Sequence, residues 1–274
     1  MSTKVKLWGL VCMQVLAPWL FIQCQTTATG ARSASLAGIS AGLEDAWAVA
    51  NNPAGLARYT HVSLVTSLEQ RFLMKELGYY SIAASVPAVK GCLGIFTMFS
   101  GYRSYIDQKL SICYGRQFGE HLLSGISLVY VFQKAGNDSP ALHQVSYELG
   151  AIILLSEKVN LAFTAFNPFQ LYFKSVDYAT LPSIFKLGLS FQYSPALFIY
   201  SECEKDLDLP PCLKLGIEYI YRDIFFLRGG TRIFPVSYSF GAGLRHNRYF
   251  LEFSSAYYQY LGFTPHISIL YDIK

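Results

Sequence analysis

The sequence predicts an all-β chain: a transmembrane antiparallel β-barrel of about 14 strands, preceded by a short helical N-terminal segment. Three observations predict it. From His61 onward, apolar and polar residues alternate with period two. Charged residues make up 15% and aromatics 16%, with 20 Tyr and 20 Phe, whereas roughly 25% charge is usual in soluble domains. The connections between alternating segments are tight and longer by turns, as in outer-membrane barrels.

The first element is a leader. Lys4 and Lys6 precede the apolar run LWGLVCMQVLAPWLFI, which Pro18 interrupts, and the small residues TTATGA follow. A basic start, a short apolar core and a small-residue region read as a secretory signal over residues 1–28, cleaved near Ala28. Cys24 offers a lipoprotein alternative, which Gln23 disfavours because a small residue belongs there. No later run is long and apolar enough for a membrane helix, so none is expected in the mature chain.

The second element covers residues 29–60. The stretch LEDAWAVANNPAGLA, residues 43–57, reads as a short helix ended by Asn52-Pro53 and Gly55. Such a helix is too short to stand alone and needs walls around it. Asp45 near its start is favoured by the helix dipole.

The third element, residues 61–274, is the barrel. In CLKLGIEYIY, Lys214, Gly216 and Glu218 share one face, and Leu213, Leu215, Ile217, Tyr219 and Tyr221 share the other. SIFKLGLSFQYS and SYSFGAGLR behave in the same way. Segments of this kind start near 61, 78, 91, 105, 121, 143, 159, 183, 196, 211, 223, 237, 248 and 264. Most have the length a tilted strand needs to cross a bilayer. PAVKG, FGE, SEK, YSP, YRD and RHN are tight connections, and all fall on the periplasmic side if both chain ends lie there. A secreted β-sandwich would also alternate, but it would turn a charged face outward. Here the polar face is Gly, Ser and scattered charge, which suits outer-membrane lipid outside and a polar lumen inside. A closed barrel also satisfies every backbone group away from water.

Alternation directs Asp107, Lys109, Glu148, Lys186, Glu202, Glu204, Lys214, Glu218, Arg228, Arg232, Arg245 and Glu252 inward. Their mixed signs suit a lumen crossed by ion pairs. Phe96, Met98, Phe166 and Phe226 also fall inward, either as packing for the N-terminal segment or as an apolar patch for a hydrophobic ligand. His61, His121, His143, His246 and His266 are scattered, with no His-x-x-x-His and no Gly-x-Ser-x-Gly. The chain is therefore expected to be no enzyme, with no metal site and no cofactor. The net charge of +4 without a basic cluster excludes nucleic acid as a partner.

Cys92, Cys113, Cys203 and Cys212 remain after the leader is removed. A symmetric turn about Tyr102-Arg103 would set Cys92 opposite Cys113, both inward and close enough for a disulfide, the alternative being two free small residues. Cys203 and Cys212 fall on opposite faces. Pro87, Gly91 and Gly94 weaken the second and third strands. They mark either a lateral opening for a ligand or merely a tight turn and room for the N-terminal segment.

The stretch GARSASLAGISAGLEDAWAVANNPAGLA resembles the N-terminal motif of the FadL/PorV superfamily of outer-membrane barrels, in its PorV/PorQ-like branch. The matching residues are Gly30, Arg32, Gly38, Gly42, Asp45, Asn52, Pro53 and Gly55. EKDLDLP, LRGGTRIFPVSYSFGAGLR and YYQYLGFTPHISILY resemble that branch's later strands. The resemblance implies a closed barrel with the N-terminal segment folded inside as a plug, against the alternative of a cap on the periplasmic rim. It implies a Bacteroidetes-type protein accessory to type IX secretion or surface attachment, with secretion-system or surface proteins as partners. The alternative is a FadL-like passive channel for hydrophobic small molecules. The chain departs from its larger relatives in its short loops, of which only 167–182 is long. It also ends in Lys274 where barrels commonly end in an aromatic residue.

Overall fold

The computed structural model describes residues 28–102, 105–136, 140–169 and 181–273. The alternating segments close into one antiparallel barrel. Its strands are β1 (Val62–Gln70), β2 (Gly78–Ala88), β3 (Gly91–Tyr102), β4 (Tyr105–Phe118), β5 (Leu122–Ala135), β6 (Leu142–Leu154), β7 (Val159–Phe166), β8 (Ile184–Ser194), β9 (Leu197–Asp206), β10 (Cys212–Tyr221), β11 (Phe225–Ile233), β12 (Ser237–His246), β13 (Tyr249–Tyr258) and β14 (Gly262–Ile273). Each begins within two residues of the start read from the alternation. β14 closes on β1, with Val62 opposite Ile273 and Glu69 opposite His266. Closure leaves no unpaired strand edge. No helix among the described residues is long and apolar enough to cross a membrane.

The two faces of the wall are inverted relative to a soluble sheet. Along β10, Leu213, Leu215, Ile217 and Tyr219 are exposed, while Lys214, Gly216 and Glu218 are buried. The same inversion runs around the barrel: Leu64, Ile95, Ile112, Leu128, Leu187 and Phe240 are exposed on the outer face. An apolar surface of this extent is costly in water and favourable in lipid. The turns after β2, β4, β6, β8, β10 and β12 are short and share the end that carries both chain termini. The longer connections, after β1, β5, β7 and β9, lie at the opposite end.

The hairpin of β3 and β4 turns one residue later than a symmetric Tyr102-Arg103 turn would require. Tyr102 pairs with Tyr105, so Cys92 faces Gly115 and Cys113 faces Gly94. The expected direct opposition of Cys92 and Cys113 is thereby corrected, and both thiols are free, as are those of Cys203 and Cys212.

The N-terminal segment forms α1 (Ala31–Ser35), α2 (Ala48–Asn51) and a 3-10 turn at Pro53–Leu56. The single helix expected over 43–57 is thus shortened to α2. Asn52 leaves the helical region at φ −155°, and its side chain accepts the Ala54 N–H at 3.0 Å, so the chain restarts as a tighter turn. α1 packs on β11–β14, and the Pro53–Leu56 turn packs on β4–β6. The expected leader, except for Ala28, lies outside the described residues.

Candidate functional site: the lumen and the N-terminal segment

The inner wall meets the segment in two different ways. On one side three glycines, Gly115, Gly125 and Gly150, lie side by side on β4, β5 and β6. A methyl group at Gly125 would come within 2.6 Å of the Ala54 nitrogen, and one at Gly115 or Gly150 would overlap Pro53 or Asn52. The Asn52-Pro53-Ala54 backbone therefore lies directly on bare wall. Asn52 also donates from Nδ2 to the Ala41 carbonyl, which ties the turn to the middle of the segment. Gly55 sits under the Leu43 carbonyl and Gly42 against Ser190, while Gly38 has a left-handed φ of 78°. Gly30 has a φ of 100° and abuts the Trp47 ring, so no side chain fits there.

On the other side the segment is held by charge. The Arg32 guanidinium donates from Nη2 to Glu218 Oε2 at 2.7 Å and from Nε to Glu218 Oε1 at 3.2 Å. Its Nη1 reaches Asp45 Oδ2 at 3.1 Å. Arg228 bridges Glu218 and Glu252, both at 2.6 Å. Lys214 bridges Glu202 at 2.7 Å and Glu204 at 2.8 Å, and donates to the Gly38 carbonyl at 2.9 Å. Glu202 accepts the backbone N–H groups of Ser40 and Ala41, and Lys186 donates to Ser40 Oγ. Arg232 lies at the edge of this network, 4.0 Å from Glu204 and donating to Cys212 Sγ. Charges out of water need partners of this geometry, because an unpaired one is costly. Burial also pushes the Glu44 carboxyl of the segment above its ordinary range, against the pull of Arg58 and Arg32.

The remaining inward charges lie outside the ion pairs just described. Asp107 accepts from Gln133 at 3.3 Å. Lys109 lies 5.3 Å from the Phe166 ring centre, and Glu148 is buried. Arg245 is exposed at the end of the lumen that carries the chain termini and covers the Phe226 and Phe250 rings. Phe96, Met98 and Phe226 pack in one apolar cluster with Trp47, Val49 and Leu56, whereas Phe166 packs in another with Val129, Val131 and Ile184.

Pro87, Gly91 and Gly94 mark no gap. The ladder of β2 and β3 is continuous from Tyr79–Ser100 to Ala88–Gly91, with Pro87 opposite Cys92. A methyl group on Gly94 would come within 2.8 Å of both Cys113 Sγ and Val49 of the segment. The glycine makes room for the interior packing. Of the two readings of these residues, the paired wall favours a tight turn and room for the N-terminal segment over a lateral opening.

Several contributors were not singled out from sequence. Tyr200 donates to Glu218 and accepts from Arg32. Ser268 accepts from the Ala31 N–H and donates to Glu252. Asn160 donates to Glu44 at 3.3 Å. Their signal was the period of two, which puts Tyr200 on the face of Glu202 and Glu204 and Ser268 on the face of Thr264 and His266.

Neither family models nor curated proteins match the chain. Solved structures do match its fold. The Ralstonia pickettii toluene transporter TbuX superposes with a TM-score of 0.73 at 11% identity, over 91% of this chain and 100% of that one. The monoaromatic hydrocarbon channel CymD gives 0.69 at 14% identity, over 92% and 99%. A Pseudomonas aeruginosa FadL homologue gives 0.62 at 12% identity, over 92% and 99%. The fold is therefore that of FadL-type outer-membrane channels.

Proposed function

We propose that the chain is a non-enzymatic outer-membrane protein of FadL type, a passive channel for hydrophobic small molecules. In this reading residues 1–28 are a leader, 29–60 a plug and 61–274 the membrane-spanning barrel. The observation that carries it is the combination of an apolar outer wall with a lumen occupied by the charge-held segment, in the fold shared with the toluene and monoaromatic hydrocarbon channels. The contact with both sides of the wall favours a plug over a rim cap. A ligand leaving sideways between β2 and β3 would first have to part a complete ladder, so movement of the segment is the cheaper opening.

The experiment is deletion of residues 30–57. The barrel should still fractionate with the outer membrane and keep its heat-dependent gel shift, because the strands hold the ladder. Solute flux in liposomes should rise. Unchanged flux would sink the plug, and a soluble periplasmic protein would sink the membrane reading. The type IX or surface-attachment role rests on the motif from Gly30 to Leu56 and ranks second. Capture of exported or surface proteins with the native barrel would move it to first place.

A further inference from the structure

The N-terminal segment lies in the lumen with its own beginning innermost. Its later end meets the rim where β1 begins and β14 ends, and there the Tyr59 hydroxyl donates to Asp272 at 3.0 Å. Its first described residue, Ala28, lies at the other end, where it borders a cavity of about 20 Å³ together with Ala50, Asn51, Lys109 and Glu148. Along β4, Lys109 lies beyond Gly115 on the side away from that rim, and along β6 Glu148 lies beyond Gly150. Ala28 is therefore on the far side of the Asn52-Pro53-Ala54 turn, which rests on those glycines. The next residue is clamped. Thr29 donates its backbone N–H to Asn51 Oδ1, and Asn51 Nδ2 donates to the Thr29 carbonyl, both at 2.8 Å. Asn51 itself is buried on helix α2.

We propose that the mature amino terminus is made at Thr29 and buried in the lumen, and that the segment docks only after the leader has been removed. The proposal rests on the plug reading above and adds the order of events. Hydrolysis of the Ala28–Thr29 bond by a leader peptidase consumes one water. The Ala28 carboxylate departs with the leader, and the Thr29 nitrogen stays and takes up a proton as an ammonium. Asn51 Oδ1 accepts from that ammonium as it accepts from the amide, so the clamp survives the cut.

Position dictates the order. A secretory leader is cut at the membrane from which the chain is exported, on the side where β1 begins and β14 ends. With the segment docked, the Ala28–Thr29 bond lies beyond the turn, out of reach from that side. The 28 residues up to that bond have no room in a cavity of about 20 Å³, which holds about one water. To stay joined, the chain would have to turn back past Gly115, Gly125 and Gly150. There the wall is bare glycine against one strand of backbone, and a single added methyl group already collides with it. Leaving by the opposite end would carry the apolar leader away from the membrane that holds it. The precursor therefore keeps the segment out, and the cut lets it in.

The test compares the precursor and the chain begun at Thr29, both refolded into detergent, with the native protein from outer membranes. Mass spectrometry of the native protein should find Thr29 as its first residue. Limited proteolysis should cut residues 29–57 about tenfold or more faster in the precursor than in the processed chain, the ratio expected for losing the two Thr29–Asn51 hydrogen bonds. Asn51→Ala in the processed chain should raise cutting by about the same factor. It should also open the Thr29 amine to bulky amine reagents that the native lumen keeps out. Every chain compared must show the heat-dependent gel shift of a folded barrel. Equal protection in precursor and processed chain overturns the order of events and leaves the plug standing. A native chain that begins elsewhere, or a Thr29 amine as reactive in the folded barrel as in the denatured one, overturns the buried terminus. If the segment is cut freely in the processed chain as well, the plug reading falls too.

Discussion

Arg32, on the first helical turn of the N-terminal segment, grips Glu218 on β10 with two hydrogen bonds of 2.7 and 3.2 Å across 186 residues of sequence. One residue of the segment is thereby joined to a carboxylate that Arg228 and Tyr200 hold in place from the wall.

Arg32→Met should loosen the segment without opening the barrel. Breaking a buried pair costs about 3–5 kcal/mol, and the loss should fall near the lower end because Glu218 keeps Arg228 and Tyr200. Limited proteolysis should cut residues 28–57 faster in the variant while the heat-dependent gel shift persists. Equal protection would mean that the glycine side alone holds the segment.

Gly125→Ala tests that other side. Its methyl would collide with the Pro53 carbonyl at 2.5 Å, which is backbone and cannot swing away. Overpacking of this kind costs about 1–3 kcal/mol. The Asn52-Pro53-Ala54 turn should lift, and hydrogen exchange of the segment should rise while that of the strands stays unchanged. A Gly229→Ala control should do little, since the nearest atom to its added methyl is 3.9 Å away.

Segment docking should weaken as pH rises through the acid range. Burial lifts the Glu44 carboxyl above its ordinary value, so the docked segment binds the proton more tightly than the released one. Its contribution is fully present below the ordinary carboxylate value and is lost as pH climbs through the raised one. Protease protection of the segment, followed from pH 4 upward, should fall in the native chain (about pH 4 being the ordinary carboxylate range) and become flat in Glu44→Gln. A slope that survives in Glu44→Gln would assign the titration elsewhere.

Thiol counting on denatured, unreduced mature protein should find all of Cys92, Cys113, Cys203 and Cys212 free. In the folded barrel Cys92 and Cys113 are buried on the inner face, so bulky reagents should reach them only after residues 30–57 are deleted. A Cys92–Cys113 disulfide in the native protein would contradict the register of β3 and β4.

The strands were legible because an apolar outer face and a polar inner face impose a period of two along each of them. The inward direction of Lys214 and Glu202 could be read from that period. Their pairing could not, because it depends on the register that sets them opposite each other across β9 and β10. The error at Cys92 and Cys113 has the same origin: the turn between β3 and β4 closes at Tyr102–Tyr105, and moving a turn by one residue shifts every partner. The glycine row was hidden for a related reason. Gly115, Gly125 and Gly150 are ordinary glycines in three separate strands until pairing lines them up. Helix α1 carries too few residues to show any period at all.

A barrel with a fixed number of strands has a fixed girth, so its bore cannot be widened by degrees from the backbone. The bare patch at Gly115, Gly125 and Gly150 is how this wall gains local depth: side chains are pared away where a second strand of backbone must pass. Interior capacity then becomes a quantity tuned one methyl group at a time. The room inside can thus change through these few inner residues while the apolar outer face stays the same.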